Sequence, residues 1–267
     1  MVEGPTAKLY SIMINKALLN GVIEDIYVKS RRVYIDPKKL LGHRLMLSDT
    51  YGKNILLRID GYGIRIHLML YGSIHIYEAD EELKKPFNRV RLLIKFPDRR
   101  LVVYNAPIVE INYFRNILDS LKSNLGLDPL RREWNKDEVL KYLLKNGDKK
   151  IGVALLDQRI VAGIGNILRN EILFRAKIHP ERLIKDLSTE ELNRLIRISR
   201  ELSREFLRIK LKKRRLRDLL YVYNRAGKNC KICGSKIKFY MQDEINRKTF
   251  VCEYCQRNRP SLDTFII

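Results

Sequence analysis

The first twenty residues carry apolar side chains at the spacing of one helix face. After Pro5 these positions recur every three or four residues, and Gly21 provides a natural stop; they are Ala7, Leu9, Ile12, Met13, Ala17 and Leu18. From about residue 22 to 112 the pattern changes to short β-branched and aromatic runs separated by Gly, Asp, Pro and Asn. This texture is typical of a sheet-rich domain and favours a sandwich, closed by a short helix over about 113–123.

The second half returns to helical spacing. Gly126 and Asp128-Pro129 predict a linker over 126–134. Asn135 with Glu138, and Ser188 with Glu191, are N-cap pairs that predict helices reaching about 146 and 211. Between these helices, the turn Gly163-Ile164-Gly165 precedes a predicted helix over about 166–176. The chain is therefore expected to be an α+β protein.

The net charge of the chain indicates which class of molecule it binds. The 267 residues include 53 Lys and Arg against 31 Asp and Glu, a net charge of +22. Such an excess predicts a polyanionic partner, with nucleic acid ahead of an anionic membrane surface. No stretch approaches the roughly 20 apolar residues of a spanning helix. Glu3 and Lys8 leave no apolar signal segment, so a cytoplasmic protein is expected.

Four cysteines stand in two pairs near the end of the chain. Cys230 and Cys233 form one Cys-x-x-Cys pair, and Cys252 and Cys255 form the other, with eighteen residues between the inner cysteines. This is the spacing of a zinc ribbon. Four thiolates satisfy tetrahedral zinc without leaving a position for water, so one structural Zn²⁺ is predicted.

Other candidate chemistry is less specific. The glycine turn before Asn166 is a suitable phosphate seat at a helix N-terminus, although Asn166 is equally well suited to be an ordinary N-cap. Six of the eight residues over 210–217 are cationic and form either a solvated helix end or a phosphate contact. The histidines are scattered, and no serine or cysteine nucleophile motif is present, which directs attention to the chain's own N-terminus.

Four separated segments, taken together, resemble the formamidopyrimidine-DNA glycosylase and endonuclease VIII family. They occur in the family's order and span nearly the entire chain: Val2-Glu3-Gly4-Pro5, Leu155-Leu-Asp-Gln158, Gly163-Ile-Gly-Asn-Ile-Leu-Arg-Asn-Glu-Ile172 and the cysteine quartet ending Cys255-Gln256. The resemblance implies a β-sandwich domain with its N-terminal helix over 1–125, the linker, a helix-two-turn-helix domain over 135–226 and a zinc hairpin over 227–267. It also implies a monomer that removes oxidised bases from double-stranded DNA and nicks the abasic site.

The resemblance assigns the catalytic residues. The α-amine of Val2 is the implied nucleophile, and an α-amine with a pKa near 7.7–8.0 is far less protonated at pH 7 than a lysine near 10.4. Glu3 matches the proton donor, and Lys53 matches the turn lysine that assists β-elimination. Arg247 matches the hairpin arginine that grips phosphate and assists δ-elimination. Val2 stands where most relatives have proline.

Further positions are implied to touch DNA. Asn166 matches a phosphate contact, and Glu171 matches a carboxylate near the active site. Thr6 stands where many relatives have glutamate, which leaves the proton relay open.

The loop side chains Met69, Leu70 and Tyr71 are the candidates for filling the gap left by a flipped base, although by pattern alone Leu70 fits a core position. Only residues 218–229 separate Arg217 from Cys230, too few for the loop that covers oxidised guanine. Oxidised pyrimidines and the endonuclease VIII branch are therefore favoured.

Alternatives remain open. One is an AP lyase with little base excision, and another is a non-catalytic zinc-ribbon DNA-binding protein. Single-stranded substrates, and β- or β,δ-elimination, are also left open.

Overall fold

The computed structural model describes residues 2–258, in two compact units, Met1–Asn124 and Leu125–Ile267. Met1 and residues 259–267, the last part of the predicted zinc hairpin, lie outside the described residues. Within residues 2–258, no helix is both long and apolar enough to span a bilayer.

The first unit begins with a helix and continues as nine strands and a closing helix, counted over its described residues. These are α1 (Gly4–Leu18), β1 (Asp25–Val28), β2 (Arg32–Val33), β3 (Leu45–Tyr51), β4 (Asn54–Ile59), β5 (Tyr62–His67), β6 (Ser73–Glu78), β7 (Val90–Lys95), β8 (Arg99–Tyr104), β9 (Ile108–Tyr113) and α2 (Phe114–Asn124). Pro5 lies in the first turn of α1, where its missing N–H costs no hydrogen bond.

The strands form two sheets. One has the order β1-β7-β8-β6, and the other has the order β2-β9-β5-β4-β3. All pairs are antiparallel except β2 with β9. Alternate side chains of both sheets enter one core, together with Ala7, Ile14 and Leu18 of α1. Burial on this scale explains why the alternating apolar pattern is visible in the sequence.

The second unit is helical and ends in a two-stranded hairpin. Its elements are α3 (Lys136–Leu144), α4 (Ile151–Ala154), α5 (Asn166–Ala176), α6 (Thr189–Leu211), β10 (Lys238–Gln242) and β11 (Arg247–Val251). Asn135 caps α3 by accepting from Asp137 N and Glu138 N, and Ser188 with Glu191 forms a complete capping box on α6. Both predicted caps are therefore confirmed.

Residues 126–134, expected as a linker, pack within the second unit. Gly126 N donates to the Gln158 carbonyl at 2.9 Å, and Leu127 forms a bridge with Val161. A Cβ on Gly126 would lie 2.3 Å from the Ile160 carbonyl oxygen, so this approach requires glycine. Trp134 is only 8% exposed. Gly126 lies next to the boundary between the two units. The segment that follows it is held in place by tertiary contacts and is not a free linker.

Candidate functional site

The Val2 nitrogen is held at a defined place in the first unit. It donates to the Met69 carbonyl at 3.2 Å, and the Val2 side chain is 9% exposed within the sandwich core. Met69 has a φ of 49°, in the left-handed region. This turn of the backbone directs a loop carbonyl at the N-terminal nitrogen, a contact between residues 67 positions apart in sequence.

The strand register brings Lys53 towards the same end of the sheet. Gly52 and Lys53 form the turn between β3 and β4, with Gly52 at a φ of 59°. Asn54, which follows, pairs with His67 at the end of β5. His67 then leads through buried Leu68 into the Met69 loop. Val2, Lys53 and Met69 are therefore tied to one end of the β4–β5 pair.

The positive charge of Lys53 acts on the His67 side chain. Burial, together with the positive charges of Arg65 and Lys53, lowers the pKa of His67 to about 4. The imidazole is therefore neutral at pH 7, because protonating it would add a third cation to a partly buried group. Lys53 itself is half-buried in the turn.

Glu3 is buried at the start of α1. The residue is 4% exposed, and its carbonyl accepts from Thr6 N at 2.9 Å and Ala7 N at 3.0 Å. Its own backbone is extended, at φ −111° and ψ 170°, as an N-cap residue requires. A carboxyl group here adjoins the N-terminal nitrogen in sequence and lies at the positive end of a helix.

The loop from Met69 to Tyr71 presents apolar side chains to solvent. Met69 is 46% exposed, Leu70 48% and Tyr71 82%. Gly72 N closes the loop by donating to the Leu68 carbonyl at 2.9 Å. Leu70 is therefore not a core residue, and this short closed loop offers the surface that a base-stack wedge requires.

In the second unit, the glycine turn is fixed by Gln158. The Gln158 amide donates to the carbonyls of Leu156 and Ile164, both at 3.0 Å, and its oxygen accepts from Gly163 N at 2.9 Å. The turn delivers Asn166 to the first position of α5. Gly165, not Asn166, occupies the N-cap position, and no side chain caps this helix.

Asn166 instead joins α5 to the hairpin. Its side-chain amide donates to the Lys248 carbonyl at 2.9 Å, while its oxygen accepts from Arg169 Nη1 at 3.0 Å. Gly165 at the N-cap position has no side chain with which to cap α5. The positive end of a helix favours an anion. The preceding residue of the hairpin, Arg247, is exposed at the start of β11.

The four cysteines converge into one cluster. Their sulfur atoms all lie within 4.8 Å of one another. Cys230 Sγ and Cys255 Sγ are 3.9 Å apart, and Cys233 Sγ and Cys252 Sγ are 3.4 Å apart. The cluster has the donor set and the closeness of a metal site.

Comparisons with known proteins agree with this geometry. Residues 125–216 match the model of the formamidopyrimidine-DNA glycosylase H2TH domain. A formamidopyrimidine-DNA glycosylase of Wolbachia pipientis subsp. Culex pipiens is 30% identical over 96% of this chain and 100% of its own length. The chain belongs to the formamidopyrimidine-DNA glycosylase and endonuclease VIII family.

Both branches of this family are represented among the relatives. A probable endonuclease 8 2 of Streptomyces coelicolor is 28% identical, over 96% of this chain and 94% of its own length. A solved complex of the Lactococcus lactis formamidopyrimidine-DNA glycosylase with DNA containing a formamidopyrimidine guanine is 25% identical, with a TM-score of 0.84 over 95% of this chain and 99% of that one. The α+β fold predicted from the sequence is thus confirmed, and the branch is left open.

Glu171 does not have the place expected of a DNA contact. It is 0% exposed, and its carboxylate accepts from the backbone amides of Tyr221, Val222 and Tyr223, each at 2.9 Å. Burial raises the pKa of Glu171, while these three amides and Arg175 act in the opposite direction. Three donors require an acceptor, so the side chain serves to fix the segment that leads into the hairpin.

Replacing Glu171 with alanine is expected to lower stability by about 3 kcal/mol or more, because three buried amides lose a charged acceptor. In thermal unfolding, the Tm should fall by roughly 5–10 °C. Glu201→Ala is the matched control, since Glu201 makes only an exposed pair with Arg197. Equal Tm values for the two variants would contradict the clamp role of Glu171.

The sequence analysis missed Arg169. It is 0% exposed and donates to the Gly152 carbonyl at 2.7 Å, to Thr249 Oγ1 at 3.0 Å and to Gln242 Oε1. Burial lowers the pKa of Arg169 to about 10, which still leaves it charged at pH 7. One guanidinium thus connects α4, α5 and both hairpin strands. Its only sequence signal was its position inside the glycine-turn segment.

Proposed function

We propose that this chain is a bifunctional DNA glycosylase and AP lyase of base excision repair that uses the α-amine of Val2. The observation that carries the proposal is the contact of the Val2 nitrogen with the Met69 carbonyl, at the end of the sheet that also bears Lys53. The amine forms when Met1 is removed, and an α-amine with a pKa near 7.7–8.0 is partly unprotonated at pH 7.

The chemistry follows from an amine nucleophile. Val2 attacks C1′ of the damaged nucleotide, the base leaves with a proton, and loss of the ring oxygen bond gives a Schiff base between nitrogen and sugar. Glu3 donates the proton that sugar opening or base departure requires. The Schiff base makes C2′ acidic, and removal of that proton expels the 3′ phosphate by β-elimination. Lys53 assists this step from its turn.

The cysteine cluster fits one structural zinc ion. A tetrahedron with Zn–S distances near 2.3 Å has sulfur atoms about 3.8 Å apart, close to the 3.9 and 3.4 Å separations here. Cys230, Cys233, Cys252 and Cys255 would hold the ion, and no fifth position is left for catalytic water. Zinc would fix the hairpin that presents Arg247.

Phosphate binding is proposed for the second unit. The positive end of α5, which begins at Asn166, and the exposed guanidinium of Arg247 are the groups proposed to bind DNA phosphates. As the resemblance implies, Arg247 would also assist δ-elimination. The net charge of +22 supports this mode of binding.

Oxidised pyrimidines are the proposed substrates. In the second unit, residues 220–229 follow the short helical turn Leu216–Leu219 directly and reach Cys230, with Tyr221 to Tyr223 fixed by Glu171. A segment held in this way offers no long loop to cover an oxidised purine. This supports the endonuclease VIII branch.

Borohydride trapping tests the function. Duplexes carrying thymine glycol, oxidised guanine or an abasic site are incubated with the protein and reduced, and the cross-linked species is counted on a denaturing gel. Adducts with thymine glycol and the abasic site are expected, and the adduct with oxidised guanine should be weaker. An adduct with the abasic site alone would indicate a lyase. With the N-terminus confirmed as Val2, no adduct on any substrate would indicate a non-catalytic DNA-binding protein.

The wedge loop is expected to matter for base excision from a duplex. Leu70→Ala and Tyr71→Ala should each slow excision roughly tenfold, because flipping a base out costs a few kcal/mol that the inserted side chain offsets. Single-turnover rates on duplex thymine glycol give the measurement. Tyr113→Ala is the control, as Tyr113 is 52% exposed in the same unit but outside the loop. An unchanged rate for both loop variants would remove them as wedges.

Val2→Pro is expected to raise the share of δ-elimination product. Proline gives a permanently charged iminium, whereas the imine of valine must be protonated before it withdraws electrons. The nick ends formed on abasic-site DNA are separated by electrophoresis. Val2→Ala, which keeps a primary amine, should retain the original product ratio. A product ratio that is the same for proline and alanine contradicts this account.

A further inference from the structure

A cationic groove lies in the second unit, on elements that neither Asn166 nor Arg247 uses. It has a volume of about 740 Å³ and runs between the start of α3 and one face of α6. We define it by its five cationic side chains and call it the arginine groove: Lys136, Arg194, Arg197, Arg200 and Arg204. Trp134 and Ile196 also line it, and one carboxylate, Glu201, is present.

One of these cations is neutralised by a carboxylate, because Arg197 pairs with Glu201 at 3.0 Å. Arg194 Nε donates to the Ala176 carbonyl at 2.9 Å, which holds the side chain but does not neutralise its charge. Lys136, Arg200 and Arg204 have no ion pair with any carboxylate among residues 2–258. The groove therefore keeps four cations beyond its own carboxylate.

Arg200 is the centre of this excess charge. It is half-buried, and its Nε is shielded from solvent without an acceptor in the described part of the chain. Burial lowers the pKa of Arg200, and the positive charge of Arg204, one turn further along α6, lowers it again. Like charges at this spacing repel each other. An anion in the groove would relieve both the desolvation and the repulsion.

The form of the groove selects the kind of anion. Single-stranded nucleic acid uses aromatic faces for base stacking, but Trp134 is only 8% exposed, which leaves little of its surface for a base. The groove instead combines arginine forks with the aliphatic stems of the same side chains. Arginine pairs with carboxylates in bidentate geometry, and arginine clusters recognise acidic segments.

We propose that the arginine groove is a docking site for an acidic peptide segment of a partner protein. Its carboxylates pair with Arg200, Arg204 and Lys136. Within the second unit, the residues proposed to bind DNA belong to α5 and β11 and do not line the groove, so a partner bound here leaves them available. The site would bring another protein to the DNA on which this chain acts.

The chain has a single tryptophan, and it lines this groove. Trp134 fluorescence, excited at about 295 nm, therefore reports binding directly in the full-length protein. The probes are an eight-residue Asp/Glu peptide, its Asn/Gln counterpart, an oligothymidylate of equal charge and inorganic phosphate. Only the acidic peptide is expected to give a saturable fluorescence change, and Arg200→Glu with Arg204→Glu should weaken its binding at least tenfold.

The control is Arg208→Glu, an exposed arginine of α6 outside the groove, which should bind the peptide as the unaltered protein does. Cleavage of abasic-site DNA by both altered proteins should stay within twofold of the original, so that the result is independent of the proposed function. Three outcomes would overturn the proposal: no saturable signal with the acidic peptide, stronger binding of the oligothymidylate, or equal peptide affinity in the groove variant and the control.

Discussion

A version of the protein that keeps Met1 in front of Val2 is expected to form no borohydride-stable adduct with abasic-site DNA. The extra residue turns the Val2 nitrogen into an amide, which has no nucleophilic lone pair. The new amine lies about 3.8 Å further along the chain. A displacement of even 1 Å can cost about 10²-fold in rate, so both base excision and strand cleavage should fall by at least that factor.

A removable N-terminal extension gives the matched comparison. The protein is made with a leader that a specific protease cuts directly before Val2, and one preparation is assayed before and after the cut. Activity and adduct should appear only after cleavage. DNA affinity, measured by anisotropy on an uncleavable abasic analogue, should differ little between the two forms. An adduct of equal yield before cleavage would mean that another amine, such as that of Lys53, is the nucleophile.

The Val2 contact illustrates what local sequence cannot predict. The helix that begins at Gly4, the capping box at Ser188 and the turn at Gly163 all follow from residues within a few positions of one another, and the structure has each of them. The Met69 carbonyl that receives the Val2 nitrogen is 67 positions away. The position of this carbonyl is set by strand register and by the left-handed φ of Met69, and neither leaves a pattern in the sequence.

The burial of charged side chains was also not predicted from the sequence. Glu171 had an expected role at the DNA, but its carboxylate is surrounded by amides of residues 221–223. Arg169, two positions earlier, is equally buried. Arg169 and Glu171 lie on one turn of α5. The sequence of such a turn does not show whether a charged side chain is buried or exposed to solvent. The partners of Glu171 lie 50 to 52 positions later, and the hairpin partners of Arg169 lie 73 and 80 positions later.

The segments that resemble the family contain both structural residues and residues proposed to bind DNA. The glycine-turn segment contains four residues that hold the hairpin or the segment that leads into it. Asn166 contacts Lys248 and Asn170 contacts Phe250. Arg169 contacts Thr249, and Glu171 contacts residues 221–223. A segment that resembles the family therefore carries structural residues beside any that touch DNA. Geometry is needed to sort them.

Removing the proposed zinc ion is expected to weaken DNA binding while the sheet unit stays folded. The hairpin core consists of few apolar side chains around Phe174, Val222 and Phe250, too few to offset the entropy of ordering the segment. Zinc would contribute roughly 10–16 kcal/mol to its folding. Without the ion, the strand that carries Arg247 loses its fixed place, and the Lys248 carbonyl no longer holds Asn166. Affinity for abasic-site duplex should fall at least tenfold, about 1.4 kcal/mol.

Metal release can be measured through the reactivity of the cysteine thiols. All four cysteines of the chain belong to the cluster, so a colourimetric thiol reagent counts metal release without background. Thiol reactivity should be slow in the native protein and fast after chelation, and readded zinc should restore both protection and DNA affinity. Cys252→Ser should behave like the chelated protein, whereas Ser235→Ala, which leaves all four thiols in place, should not. Fully reactive thiols in untreated protein, or unchanged DNA affinity after chelation, would show that the hairpin holds its form without a metal.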